Sequence, residues 1–309
     1  MQNELLDLFT SFVNECKYST RLRNETIRGY QAVFNLFIKI MPEITETEFL
    51  TTPMLNEFFK RIQTRNRIVG RNTIKVGVKN STIKTQWTKL NVFFTWLENK
   101  EHITINPLKG IRPPKVSYND YRRIDESDIN KLFSAVVNNT RNPFLFKRDT
   151  MMLSLLIHTG VRRGEFISIQ IRDIDFTNNL ITIRGETSKS GITRMIPMHP
   201  TLKYHINEYL KERNRLGYRT EFLIASSVND RGLTLEGLKH WTNRMVEISG
   251  VDFHLHKFRH SFACELSEKG ISIFALQKLM GHSDIRMTSK YTRSLKAEDM
   301  MNEIMKINV

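Results

Sequence analysis

Cysteine is scarce in this sequence. The only two among 309 residues, Cys16 and Cys264, sit in opposite halves of the chain and form no Cys-x-x-Cys pair. That excludes a disulfide-stapled scaffold and a zinc ribbon, and it predicts reduced thiols in a cytosolic compartment. Long apolar runs are missing too: none approaches the roughly 20 residues that span a bilayer, so no membrane partner is expected. The opening MQNELLDLFTSFVNEC is interrupted by Glu4, Asp7 and Glu15 and reads as an amphipathic helix instead of a secretory signal. Internal repeats and low-complexity segments are absent. The most informative gap is in acidic residues. Between Phe58 and Leu97 there is none, while Lys60, Arg61, Arg65, Arg67, Arg71, Lys75, Lys79, Lys84 and Lys89 all fall there. With a net charge of +15 and a pI near 9.8, the chain expects a polyanionic partner, because Lys and Arg clustered on phosphates release counterions. Charge alone does not separate DNA from RNA or an anionic membrane.

What remains is ample for folding: 40% of the residues are hydrophobic, enough for one large domain or two. Leu5, Leu8, Phe9, Phe12 and Val13 form a helical stripe. A second helix begins at Thr26, with Ile27, Tyr30, Val33, Phe34 and Phe37 on one side. The first hundred residues read as all helical. Ser81 is placed to cap a helix that buries Ile83, Trp87, Leu90, Phe94 and Leu97, leaving Lys84, Thr85, Thr88 and Lys89 to face a nucleic-acid groove. A solvated helix face is the plain reading of any single lysine there; the length of the acid-free stretch favours phosphate contact. Arg71, Lys75, Lys79 and Lys115 join these as expected DNA-binding residues.

Asn106-Pro107 and Gly110-Ile-Arg-Pro-Pro-Lys115 break the helical periodicity and read as a stiff connector. The expected organisation is a helical domain over 1–108, a linker over 109–120 and a second domain over 121–309. Asp125 caps the next helix, with Asp128 in its first turn. Asp149 to Thr159 is nearly all apolar and reads as a buried helix. At Thr159-Gly-Val-Arg-Arg-Gly-Glu165, a turn at Gly160 sets Arg162 at the edge of the core with Glu165 one turn on to hold it. Leu180 to Arg184 and Arg194 to Met198 alternate as a hairpin with Lys189 near its tip. Asp175 reads as a turn acid and Arg194 as a hairpin charge. Helices resume from about Thr201 and over Leu235 to Ile248, with Trp241 and Met245 in the core.

The last of these stretches, FHLHKFRHSFACELSEKGISIFALQKLMGHSDIRMTSKY, gathers the chemistry. Arginine cannot lose its proton, so Arg259 beside His256 and His260 offers a fixed cation and donors to an anion, a phosphate above all. Ser272 caps a helix carrying Ile273, Leu276, Leu279 and Met280; Gly281 stops it and turns His282 back toward the cluster. Ser283 caps a further short helix that ends near Tyr291, whose phenol can meet whatever the cluster holds. Singly, each residue has a plainer role: Tyr291 packing, Arg162 in a surface ion pair, Lys189 a solvated turn residue. A metal reading of His254, His256 and His260 lacks a carboxylate at ligand spacing, and Arg259 repels a cation, so no metal site is expected.

Together, Arg162, Lys189, His256-x-x-Arg259, His282 and Tyr291 resemble the tyrosine recombinase family, also called phage integrases. TGVRRGE is similar to the family's first arginine motif, TSKSGITRMIP to its lysine hairpin, HKFRHSFA to its His-x-x-Arg box and LMGHSDIRMTSKYTR to its nucleophile box. The resemblance is strong over about 121 to 292 and looser in the N-terminal part, which is similar in layout to a core-binding, SAM-like domain. It is nearest to the two-domain, Xer-like type, without the extra N-terminal arm-binding domain of many phage integrases. It implies a mainly α fold with a small antiparallel β-sheet in the C-terminal domain, closing as a two-domain clamp around DNA.

The chemistry the resemblance implies is transfer of a DNA strand to tyrosine without ATP, metal or other cofactor. A phosphodiester repels nucleophiles until its nonbridging oxygens are neutralised, the role assigned to Arg162 and Arg259. A phenol titrates near ~10 and needs a positive pocket or a base. His256 donates to the phosphate or takes up the phenol proton, His282 orients the phosphate or buttresses Tyr291, and Lys189 protonates the departing 5′ oxygen. Glu165 and His260 are supporting residues. The implied partners are duplex DNA with a specific core site, three further copies of the chain in a tetramer on two sites, and accessory directionality or architectural proteins. The implied location is cytoplasmic, on the nucleoid. An apolar helix over 294–307 is expected to dock on a neighbouring protomer. Two other readings share these residues: a type IB topoisomerase, which relaxes DNA without synapsis, and a DNA-binding factor that has lost activity.

Overall fold

The computed structural model describes residues 4–70, 72–116, 123–188 and 190–291. The chain divides into two compact units, residues 1–119 and 120–309, and each has its own core. Arg71, Lys189 and the expected tail helix over 294–307 lie outside the described residues.

The first unit packs four helices, α1 (Glu4–Asn14), α2 (Asn24–Ile40), α3 (Thr52–Thr64) and α4 (Asn80–Asn99). Their apolar stripes meet in an aromatic cluster: Phe9 stacks on Phe34 with ring centroids 3.8 Å apart, and Phe93 meets Phe9 edge-on at 5.1 Å. Such ring pairs add to the burial of their area. α3 starts where Thr51 accepts from the Met54 amide and Pro53 fills the first turn, as an N-terminus requires.

The expectation of an all-helical first hundred residues is wrong. Strands β1 (Asn66–Val69) and β2 (Thr73–Val76) form an antiparallel hairpin between α3 and α4. Ile68, Val69, Thr73, Ile74 and Val76 are β-branched and flank a Gly-containing turn, a strand signal that the charge of the stretch obscured. The start of α4 also differs. Ser81 lies inside the helix, and Lys79, at the cap position, makes no side-chain bond. Trp87 is only partly buried and donates its Nε1–H to the Ile111 carbonyl at 2.8 Å, which ties the Pro-rich segment to this unit.

The second unit is built on α6 (Pro143–Thr159), whose run from Met151 to Leu156 is buried. Around it stand α5 (Glu126–Asn139), the short α7 (Arg163–Ser168), α8 (Pro200–Arg215), α9 (Leu235–Ser249), α10 (Leu255–Glu268) and α11 (Ile273–Met280). Asp125 caps α5 by accepting from the Asp128 amide at 2.8 Å, and Trp241 and Met245 are buried. The sheet has three antiparallel strands in the order β3 (Ile174–Asp175), β4 (Leu180–Ile183), β5 (Arg194–Pro197), one more than the expected hairpin. Ile181 pairs with Ile196 and Ile183 with Arg194. Asp175 does form the turn, accepting from the amides of Thr177 and Asn178. Asp284, not Ser283, caps the last short helical turn, Ile285–Met287, by accepting from the Arg286 amide.

Candidate active site

The site grows from two helix ends that glycine closes. Gly160 after α6 and Gly281 after α11 adopt left-handed φ of 56° and 61°, the usual way to end a helix and turn the chain. Neither tolerates a side chain, since a Cβ at Gly160 would lie 2.4 Å from the Phe262 ring and one at Gly281 would lie 2.8 Å from Arg194.

A helix end leaves carbonyls without intrahelical partners and carries the negative end of the helix dipole. At α11 three successive carbonyls are taken by three arginines: Leu279 accepts from Arg194 Nε at 2.7 Å, Met280 from Arg259 Nη2 at 2.5 Å, and Gly281 from Arg162 Nη2 at 2.9 Å. Arg259 also donates through Nη1 to the Gly160 carbonyl at 2.7 Å, so one guanidinium joins both turns. Three cations would repel one another in this space without a counter-charge.

Glu165 supplies it. Its carboxylate accepts from the Arg162 amide (2.8 Å) and Nη1 (2.9 Å), from Arg194 Nη2 (2.7 Å) and Nη1 (3.1 Å), and from the Ser188 hydroxyl (2.9 Å). Burial alone would raise its pKa; the bonds from Arg194 and Arg162 outweigh that and hold it down at about 2. The expected support of Arg162 by Glu165 is therefore present, but in a larger network. Arg194, expected to be a surface charge of the hairpin, is buried at 4% exposure and bidentate on Glu165. The strand pattern carried that signal: Arg194 alternates in phase with the buried Ile196, which puts it at a core position. Ser188, next to Lys189, is not marked in the sequence, because a hydroxyl in a turn carries no pattern of its own.

Arg162 is more open than Arg259: its side chain is 21% exposed, whereas Arg259 is 3% exposed. Burial, and then the Arg162 charge, pull Arg259 down to about 9, so it stays charged at neutral pH. His282 is held between Arg259 Nη2, 3.0 Å from its Nε2, and the Thr288 hydroxyl, 2.9 Å from its Nδ1. A guanidinium can only donate, so Nε2 accepts, and the proton of a neutral ring sits on Nδ1, facing Thr288. Burial and the Arg259 charge lower His282 to about 4, in keeping with that neutral form.

Tyr291 lies against this turn. Its ring is parallel to His282 at 6.3 Å and tilted to His260 at 5.4 Å, and it packs with Ala263, Cys264, Leu276 and Met280. Burial raises its pKa while Arg259 and Arg162 oppose the rise. His256 stands exposed in the first turn of α10, with Arg259 one turn further on. Partial loss of hydration, and then the Arg259 charge, lower its pKa. His260, on the same helix, lies 3.6 Å from Cys264 Sγ. Five expected residues, Arg162, His256, Arg259, His282 and Tyr291, thus share one neighbourhood with Glu165 and His260. Among the described residues, no group of His, Cys, Asp and Glu is disposed to hold a metal ion.

The expected DNA-facing residues belong to the first unit. Lys75, Lys79, Lys84, Thr85, Thr88 and Lys115 are exposed. The hydroxyls of Thr85 and Thr88 bond back to the carbonyls of Ser81 and Lys84. Lys89 is only half-exposed and lays its ammonium over the Tyr30 ring at 5.5 Å.

These features meet the comparisons with known proteins. Tyrosine recombinase XerA of Saccharolobus solfataricus is 27% identical over 303 residues, covering 97% of this chain and 92% of that protein. The Tn1549 transposon integrase, solved in complex with a circular intermediate DNA, has a similar fold: TM-score 0.78 at 18% identity, over 98% of each chain. So does lambda integrase, solved as a tetramer bound to a Holliday junction: TM-score 0.70 at 22% identity, over 94% of this chain and 78% of that one. The phage integrase family model matches residues 122–298, more than half of the 309. The chain therefore belongs to the phage integrase family, the tyrosine-type site-specific recombinases that cleave and rejoin DNA.

Proposed function

We propose that this chain cuts duplex DNA at a specific core site by attack of Tyr291 on a phosphodiester, and that it works as a tetramer on two such sites. The observation that carries the reading is the convergence of Arg162, Arg259, His282 and Tyr291 on the turn after α11. Arg162 and Arg259 neutralise the nonbridging oxygens as the pentacoordinate transition state forms. His282, neutral, steers Arg259 by accepting its hydrogen bond. His256, its pKa lowered, is unprotonated near pH 7 and takes the phenol proton while the tyrosyl oxygen bonds to phosphorus.

The phosphorus–O5′ bond breaks, and Lys189 protonates the departing 5′ oxygen. The 3′-phosphotyrosine keeps the energy of the broken linkage, so a 5′ hydroxyl from another strand reverses the step and joins to it. Glu165 and His260 act as positioning residues for Arg162 and Tyr291. Residues 1–108 serve as the core-binding domain, 109–120 as the linker and 121–309 as the catalytic domain. Phosphate contacts come from Arg71, Lys75, Lys79, Lys84, Thr85, Thr88, Lys89 and Lys115, with accessory proteins setting direction on nucleoid DNA.

Incubation with nicked site DNA tests this. A denaturant-resistant protein–DNA adduct is expected, and Tyr291→Phe abolishes it. Absence of the adduct with the unmodified chain leaves a DNA-binding factor; relaxation of supercoils by a monomer with no site preference favours a topoisomerase.

A further inference from the structure

The hairpin β1–β2 takes no part in the chemistry above, yet it is the least self-sufficient element of the first unit. Its register pairs Asn66 with Val76, Arg67 with Lys75 and Ile68 with Ile74. Alternation then gives the ribbon two unlike faces. One carries Asn66, Ile68, Ile74 and Val76, and its three aliphatic side chains are 75%, 68% and 69% exposed. The other sets Arg67 directly across from Lys75.

Each face is unfavourable in water by itself. Aliphatic surface is left hydrated, and like charges opposite each other on a ladder repel. No acidic residue lies between Glu57 and Glu98 in the sequence, and among the described residues no carboxylate pairs with Arg67 or Lys75.

The base of the ribbon, by contrast, is fixed. The Gly77 amide donates to the Arg65 carbonyl at 2.9 Å, and Arg67 Nε donates to the Gly77 carbonyl at 2.6 Å. Gly77 takes a left-handed φ of 63°, and a Cβ there would lie 2.2 Å from the Gln63 carbonyl oxygen. The ribbon is therefore held in one pose beyond the end of α3.

We infer that β1–β2 is a DNA-reading ribbon that lies in the major groove, with Ile68, Ile74 and Val76 against base edges and Arg67 and Lys75 on the flanking phosphates. The inference rests on the DNA-cleaving reading proposed above. A major groove about 12 Å wide admits a two-stranded ribbon, and the one apolar group it displays is the thymine C5-methyl. Phosphates on both walls of the groove relieve the repulsion between Arg67 and Lys75. A second copy of the chain is the weaker candidate for this surface, because it would bring another acid-free, basic stretch against the first.

Binding of the full chain to an alternating dA–dT duplex and to its dA–dU counterpart tests this, since the two differ only in the C5-methyl. The unmodified chain should prefer the dT duplex by about threefold per covered methyl. Ile68→Ser/Ile74→Ser should erase that preference and keep the salt dependence. Lys75→Gln should keep the preference and reduce the slope of log K against log salt by about 1. Ile68, Ile74 and Lys75 are exposed, so thermal unfolding should not change.

Equal binding of both duplexes by the unmodified chain overturns the inference, as do variants that match it in both respects. Variants that bind DNA normally but lose self-association assign the ribbon to a second copy, which also overturns it. The Tyr291 adduct, measured on the same proteins, separates the two readings. No adduct with the unmodified chain defeats the recombinase proposal; a normal adduct with unaltered binding by the ribbon variants defeats only the ribbon.

Discussion

Replacing Glu165 by Gln removes the counter-charge on which the site is assembled, and the structure sets the size of the effect. The carboxyl sits at about 2 in the fold against an ordinary 4.5. A gap of about 2.5 units corresponds to about 3 kcal/mol of folding free energy. The sign follows from the direction. A carboxylate whose pKa is depressed by folding stabilises the fold above its unfolded value, and the contribution fades as pH falls through the folded one. Glutamine offers one acceptor oxygen and an NH2 group, so it leaves donors of Arg194 or Arg162 facing another donor in a site where Glu165 and the Arg194 side chain are each 1% exposed. Glu165→Gln should therefore destabilise the second unit by about 3 kcal/mol near pH 7. The difference from the unmodified chain should close between about pH 4.5 and about pH 2.

Denaturant unfolding at a series of pH values measures this. The chain has three tryptophans, Trp87 and Trp96 in the first unit and Trp241 in the second, so a Trp87→Phe/Trp96→Phe background lets fluorescence follow the second unit alone. A stability difference that stays constant from neutral pH down to about pH 3 would refute the reasoning.

Three further outcomes follow from the same network. His282 titrates at about 4 in the fold against 6.5 unfolded. The unfolded chain thus takes up its proton first, and stability should fall by about 3 kcal/mol as pH drops from 6.5 to 4; His282→Asn should flatten that part of the profile. Thr288→Val leaves the His282 Nδ1–H without its acceptor, at a cost of about 1–3 kcal/mol in denaturant unfolding, and should lower the rate of adduct formation without altering DNA affinity. Gly281→Ala forces a side chain into a left-handed turn and against Arg194, so adduct formation should drop by at least about tenfold, equivalent to about 1.4 kcal/mol.

The sequence made much of this site legible because its local signals were strong. The closing glycines at 160 and 281, the caps at Asp125 and Ser272, and the spacing of Arg162 to Glu165 all act within one or two helical turns. What it hid came from longer range. Arg194 reaches Glu165 across 29 residues of chain, and a charged residue at a strand position facing the core reads as exposed until its partner is known. The hairpin over 66–76 is hidden because its strands lie largely in solvent, so no burial pattern marks it, and its charges fit a helix surface equally well. Ser283 and Asp284 are adjacent residues that can each cap a helix, and only the geometry of the turn selects Asp284.

The central claim is that Tyr291 carries the cleaved strand. Digesting the trapped adduct and sequencing the peptide that bears nucleotide tests it most directly. The account predicts a single peptide, modified at Tyr291 through a 3′-phosphate, with a free 5′ hydroxyl on the released strand. Nucleotide attached to another residue, or linked through a 5′-phosphate, would contradict it.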